Sequence, residues 1–301
     1  MSHNHSHNHN NLSEGKLLFS IILNIVITAS QYIGGFLSGS LSLMSDATHN
    51  LTDVLSLIIS YVAAKLKHKK QTEQQTFGYK RAEIIAAFIN ATSLIILSVF
   101  LGIESIHRFY VIKEIESNLV IWLALLAIVA NTLSVFLLSK DAKNNINMRS
   151  AYLHLLTDAL VSVAVLIGGL VMKYYQIYWV DPAITLVISV YLLYLSWDIL
   201  LESTKMLMLF APKGLNIKDI ENSILKFEGI KNLHHVHLWQ LNDYDIYIEA
   251  HIEFKNDIKL SEWDKICYNI EKLLWDEFKI NHSMLQPEFN REDDKDFIIQ
   301  D

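Results

Sequence analysis

The sequence predicts a polytopic α-helical membrane protein with six transmembrane helices, followed by a small C-terminal α+β domain. Three observations carry this. The chain of 301 residues is 51% hydrophobic with a mean hydropathy of +0.25, too apolar for an ordinary soluble protein. The apolar residues gather in six runs, each close to the roughly 20 residues a helix needs to cross the hydrocarbon core. The charge is split: residues 1–209 carry 14 basic and 13 acidic residues (net +1), whereas 210–301 carry 11 and 19 (net −8). An acidic appendage of this kind argues against a nucleic-acid partner.

The divisions expected are a His-rich flexible N-terminus (1–15), a six-helix transmembrane domain (16–209), an α+β domain (210–290) and an acidic disordered tail (291–301). In the first, His3, His5, His7 and His9 alternate with polar residues. Such a tract either binds metal weakly or is merely solvated. No small-residue cleavage site follows, so the first apolar run is expected to remain as a helix.

The spans are read at 16–38, 41–64, 82–110, 118–138, 150–173 and 178–201. Gly34, Gly35 and Gly39 end the first. Pro182 falls in the first turn of the sixth, where a helix tolerates it. An even number of spans puts both termini on one side. Lys65, Lys67, Lys69, Lys70, Lys80 and Arg81 crowd the loop after the second span, and Lys140, Lys143 and Arg149 the loop after the fourth. The opposite loops hold only Arg108, Lys113 and Lys173. The bias predicts cytoplasmic termini and an inner or plasma membrane location. His68 stands alone among those lysines, so no metal site is expected there; the lysines also suit anionic lipid.

Past residue 210 the pattern changes. NIKDIENSILKFEG has helical period. IKNLHHVHLWQL and DIYIEAHIEF alternate like half-buried strands around a turn at Asn242 and Asp243. LSEWDKICYNIEKLLWDEFK is a second helix, with Ser261 as its expected cap, and HSMLQPEF a last short strand. The order α-β-β-α-β suggests helices on one face of a sheet. Strand alternation places His235 and His237 on one face and His234 on the other. The single cysteine, Cys267, excludes an intramolecular disulfide.

Two H-x-x-x-D pairs lie inside apolar spans: His49/Asp53 in the second and His154/Asp158 in the fifth. An ionisable residue at bilayer depth costs roughly 2.5–3.5 kcal/mol on insertion scales, so each needs a partner in a bundle interior or aqueous path. The i, i+4 spacing puts both members of a pair on one helical face. Two imidazoles and two carboxylates from facing helices complete a tetrahedral shell for a divalent ion such as zinc. Metal binding needs neutral imidazole and ionised carboxylate, so it competes with protons near neutral pH. Asp46, three residues before His49, is a ligand, an acceptor holding the His49 ring, or a helix-end residue. Asn24, Gln31 and Asn131 read as hydrogen-bonding glue between helices.

DATHNLTD in the second span, HLLTD in the fifth and FGYKRAE before the third resemble the cation diffusion facilitator family. The resemblance covers about 12–290. It implies a proton-coupled, dimeric exporter of divalent metal with a metallochaperone-like cytoplasmic domain; alternating access around the fixed site is expected by analogy with other secondary transporters. By position it makes His49, Asp53, His154 and Asp158 the transport ligands, in the pattern of zinc-transporting members; cadmium and cobalt are not separated from zinc. In the tail, HHVHLW is similar to the family's H-D-L-H-V-W. HSMLQPE is similar to H-S-x-x-I-Q-x-E with one residue fewer. The family's cytoplasmic ligands then map onto His234, His251, His282 and Glu288, with zinc as a regulatory ligand at a dimer interface. No cofactor and no enzymatic activity are implied. The rival readings are a membrane metal sensor and an intramembrane metalloenzyme. The second needs a metal position open to water. Four protein ligands leave none, and the chain has no H-E-x-x-H.

Overall fold

The computed structural model describes residues 11–67, 69, 71–138, 146–242 and 244–298. The His-rich positions 3–9, His68, Lys70, Asp243 and residues 299–301 lie outside the described residues. The chain divides into two compact units. One holds residues up to 61 and 89–199, and the other holds 62–88 and 200 onward.

The first unit holds most of the length of six long helices among the described residues: α1 (Asn11–Ser38), α2 (Leu41–Lys67), α3 (Ala82–Tyr110), α4 (Ser117–Leu138), α5 (Ile146–Tyr175) and α6 (Val180–Leu207). Helices are the expected solution for apolar runs of this length, because they satisfy every backbone group without water. Among the described residues, four helices are long and apolar enough to cross a membrane, and a further apolar stretch covers Ile22–Ser38. The α1 helix starts at Asn11, inside the segment expected to be flexible.

Polarity in this unit runs from inside to outside. Phe36, Ile96, Phe100, Trp122, Phe136, Val187 and Tyr194 are exposed, whereas Ser40, Ser42, Ser45, Asp46, Thr48, His49, Asn50, Thr52, Asp158 and Ser162 are buried. An apolar belt of that extent is a surface for lipid. Both α1 and α5 pack against α4. Glycine permits the approach: a Cβ on Gly34 would lie 1.8 Å from Leu123 Cδ1, and one on Gly169 would lie 2.9 Å from Ile121 Cγ1. Small residues at such crossings let backbones come close without a hydrophobic driving force.

The start of α2 is fixed from α6. Buried Asp181 accepts from the Leu41 amide at 2.8 Å, the Ser42 amide at 3.2 Å, and the Ser40 and Ser42 hydroxyls. Those amides are orphan donors of a helix N-terminus, where a carboxylate is favoured. The carboxylate's burial is offset by four hydrogen bonds.

In the second unit, α7 (Ile217–Ile224), β1 (Ile230–Gln240), β2 (Ile246–Phe254), α8 (Leu260–Phe278) and β3 (His282–Glu288) follow the order read from the sequence. The sheet runs β1-β2-β3, with β1 antiparallel and β3 parallel to β2. Ile248, Ala250 and Ile252 of β2 meet Ile220 and Ile224 of α7 and Trp263, Ile270 and Leu274 of α8 in one core. Both helices therefore cover one sheet face, and the alternate residues Glu249, His251 and Glu253 belong to the other. The α8 helix begins one residue before Ser261, so that residue sits in the first turn. The Glu262 carboxylate accepts the Lys259 amide instead.

The end of the chain departs from the expected disordered tail. The Asp296 carbonyl accepts from the His235 amide at 3.2 Å, and the Phe297 carbonyl from the Val236 amide at 3.0 Å. Phe297 packs against the core. The acidic run is held because Arg291 and Lys295 neutralise its charge locally.

Candidate metal centres

The intramembrane candidate lies between α2 and α5. His49 Nε2 stands 3.4 Å from Asp158 Oδ1, with His49 5% exposed and Asp158 fully buried. One member of each H-x-x-x-D pair thus meets a member of the other pair. Asp53 and His154 fall on the same two helices, one turn from His49 and Asp158; their side chains lie outside the described residues. Asp46 is tied back from the pairing. Its Oδ2 accepts from Gln31 Nε2 at 2.6 Å and Ser162 Oγ at 2.9 Å, while Gln31 Oε1 accepts from Asn50 Nδ2 at 3.0 Å. This network joins α1, α2 and α5 around the candidate centre. Gln31 is the interhelical glue its sequence position suggested.

The second candidate is on the sheet face opposite the two helices. Three steps along β1, from His234 to His237, match only two along β2, from His251 to Glu249. The extra residue is a β-bulge, and His235 takes it up with a left-handed φ of 50°. The bulge defeats simple alternation. His234 lies edge-on to His251 with ring centroids 5.4 Å apart, and His235 stacks on the same ring at 4.6 Å. From the end of β3, Glu288 reaches both imidazoles: Oε2 is 3.2 Å from His234 Nε2, and Oε1 is 2.9 Å from His251 Nδ1. Burial lowers the His251 pKa from the usual imidazole value, against the opposing charge of Glu288. Burial alone would raise the Glu288 carboxyl, but the Lys295 ammonium outweighs it and keeps the pKa low.

His282 does not join them. It pairs with Tyr247, four residues or about 13 Å along β2 from His251. There its ring stacks on Tyr247 at 4.3 Å. Asp293 stands in the cluster instead. One ligand-capable atom from each of His234, His251, Glu288 and Asp293 falls within 4.8 Å of the others. Reading 291–301 as a free acidic tail hid this residue. The available signal was Phe297 and Ile298, an apolar pair in a run otherwise too charged to dock.

Residues 17–208 match the family model described as the cation efflux transmembrane domain, and residues 212–289 match that of the cation efflux protein cytoplasmic domain. The chain belongs to the cation efflux, or cation diffusion facilitator, family. It is an integral membrane protein of that family, and its α+β domain is the part that matches the family's cytoplasmic domain. It is 33% identical over 290 residues to a Bacillus velezensis protein named cadmium, cobalt and zinc/H(+)-K(+) antiporter, covering 96% of this chain and 92% of the relative. The zinc transporter ZitB of Escherichia coli is 30% identical over 295 residues, covering 96% and 93%. The metal cation efflux system protein CzcD of Cupriavidus metallidurans is 30% identical over 286 residues, covering 95% and 90%.

Proposed function

We propose that this chain exports a divalent metal cation, foremost Zn2+, in exchange for protons by alternating access, and that it works as a homodimer. The transport ligands in this reading are His49, Asp53, His154 and Asp158. The observation that carries it is the buried approach of His49 to Asp158 across α2 and α5, inside a bundle whose outer surface is apolar. Uncompensated, such residues are too costly at bilayer depth. As two i, i+4 pairs they offer the mixed nitrogen and oxygen donors zinc takes. The names of the relatives point the same way, to zinc, cadmium and cobalt as substrates and, in one of them, to protons together with potassium as the exchanged ions. All six helices span the membrane in this reading, with both termini in the cytoplasm. His234, His251 and Glu288 form the core of a regulatory zinc site in the cytoplasmic domain.

The test is zinc flux into sealed vesicles containing the full chain. Wild type carries zinc. Asp53→Ala and Asp158→Ala, folded and inserted, lose more than the roughly 10–100-fold typical of removing an outer partner of a metal ligand. Folded alanine variants that transport zinc at the wild-type rate refute the assignment. A chain that binds zinc without moving it is a sensor.

A further inference from the structure

Two cationic side chains enter the cytoplasmic cluster from the same segment that supplies Asp293. Lys295 Nζ lies 2.9 Å from Glu288 Oε2 and 3.3 Å from His234 Nε2, and it forms an ion pair with Asp293 Oδ1. Arg291 approaches from the rim, 3.2 Å from Glu288 Oε1 and 3.5 Å from Asp293 Oδ2. The ammonium therefore touches three of the four residues whose ligand-capable atoms converge. An ammonium has donors only, so at 3.3 Å it calls for a ring nitrogen with its lone pair turned toward the cation.

The donor separations also bracket those of a metal shell. Ligand atoms about 2.0–2.2 Å from a tetrahedral zinc stand roughly 3.3–3.6 Å from one another. Here His234 Nε2 is 3.2 Å from Glu288 Oε2 and 3.9 Å from Asp293 Oδ2, and His251 Nδ1 is 2.9 and 4.0 Å from the same two carboxylates. His251 Nδ1 makes no aligned hydrogen bond despite its approach to Glu288. The pair is therefore close without being hydrogen-bonded, and all four ligand-capable atoms lie within 4.8 Å of one another. A plain ion-pair network holding the chain end to the sheet would need neither imidazole.

We propose that His234, His251, Glu288 and Asp293 form a site for a zinc-like divalent ion, and that the Lys295 ammonium is a tethered competitor the ion must displace. The proposal rests on the reading that the cytoplasmic domain binds metal, and it adds a ligand and a regulator. Both lie beyond residue 289, where the match to the family's cytoplasmic domain ends. The tether has a mechanical consequence. Lys295 sits beside Asp296 and Phe297, whose carbonyls pair with the bulged amides of β1, and its own carbonyl accepts from Asn232 Nδ2 at 3.4 Å. An ion that expels the ammonium pulls on this pairing. The site binds only when free metal is high enough to outcompete an internal cation, and it reports that event at the edge of β1.

The test is a zinc titration of the full chain in detergent against a chromophoric chelator, reading ions bound per chain and the affinity of each. His251→Ala identifies the cytoplasmic ion, because it removes one zinc and leaves the rest. If His251→Ala removes none, the reading of a cytoplasmic metal site fails, and this inference falls with it. If it removes one, the present proposal stands or falls separately. Lys295→Met then tightens that zinc at least tenfold, Asp293→Asn weakens it at least tenfold, and the charge-retaining Lys295→Arg stays near wild type. A misfolded tail would not produce that pattern. Lys295→Met with unchanged or weaker affinity overturns the competitor, and Asp293→Asn with unchanged affinity overturns the ligand. Zinc should also speed hydrogen exchange at the His235 and Val236 amides of wild type; unchanged exchange overturns the coupling to β1.

Discussion

His49 and Asp158 are 3.4 Å apart inside an apolar bundle, and the identity of the donor at position 49 should set which ions bind there. Imidazole is a borderline-soft donor suited to zinc, whereas carboxylate favours harder ions such as manganese. His49→Asp is therefore expected to lose discrimination against manganese or cadmium by more than it slows transport. Relative rates across a metal panel check this, and an unchanged ranking counts against His49 as a selectivity ligand. His49 and Asp158 stood out in the sequence because a charge inside an apolar run is costly wherever it sits, so each calls for a partner. The cytoplasmic cluster was legible only in part. His234, His251 and Glu288 come together as their positions suggested, but the face each histidine occupies depends on a bulge at His235. A one-residue insertion in a ladder leaves no mark in alternation that is already broken by three histidines in four positions. His282 was misdirected for a related reason: parallel pairing of β3 with β2 sets its height along the sheet, and strand order alone does not reveal register.

At the scale of elements, the loop before α3 belongs to the same compact unit as the cytoplasmic sheet. Lys80 Nζ pairs with Asp245 Oδ2 at 2.9 Å, and Phe77 meets the Tyr247 ring edge-on with centroids 5.9 Å apart. Asp245 is held in its turn by Asn242, whose side-chain oxygen accepts from the Tyr244 and Asp245 amides and whose amide donates to the Asp245 carboxylate. Burial alone would raise the Asp245 carboxyl, but Lys80 lowers it below its ordinary value of 3.8. Burial likewise opposes the charge on Lys80, and Asp245 raises it above its ordinary 10.5. The carboxylate's contribution is present above pH 3.8 and lost as pH falls through its lowered folded value. The ammonium's contribution is present below 10.5 and lost as pH rises through its raised one. At neutral pH the pair is fully formed. Asp245→Asn should then cost about 0.5–1 kcal/mol at pH 7, as a largely surface pair does. Hydrogen exchange in residues 72–81 should quicken, and the stability difference from wild type should shrink as the medium is acidified below about pH 4. Thermal unfolding of both proteins across pH measures this, and an equal difference at pH 7 and pH 3 excludes the ion pair as its source. The helices themselves were readable to within a few residues because their apolar runs are long. The docked chain end was not readable, since its net charge masks the one apolar side chain, Phe297, and the two backbone hydrogen bonds that hold it.

Across the whole molecule, the proposed exchange couples two ions through one set of side chains. A protonated imidazole has no lone pair for a metal, so zinc and protons compete for His49 and His154. Imidazole in water changes charge near neutral pH, which suits it to exchanging a proton for a metal. Apparent zinc affinity should drop as pH falls through histidine titration, more steeply than one imidazole alone would give, because both must be neutral together. Direction follows from the side on which the proton arrives. In inside-out vesicles the lumen corresponds to the outside of the cell, so protons there meet the site when it faces away from the cytoplasm and expel zinc into the lumen. Acidifying the lumen should accelerate zinc uptake, and a protonophore should abolish the acceleration. A facilitator or channel would follow the zinc gradient alone. If uptake ignores lumenal pH while Asp158→Ala still blocks it, the site conducts zinc and the antiport mechanism is wrong.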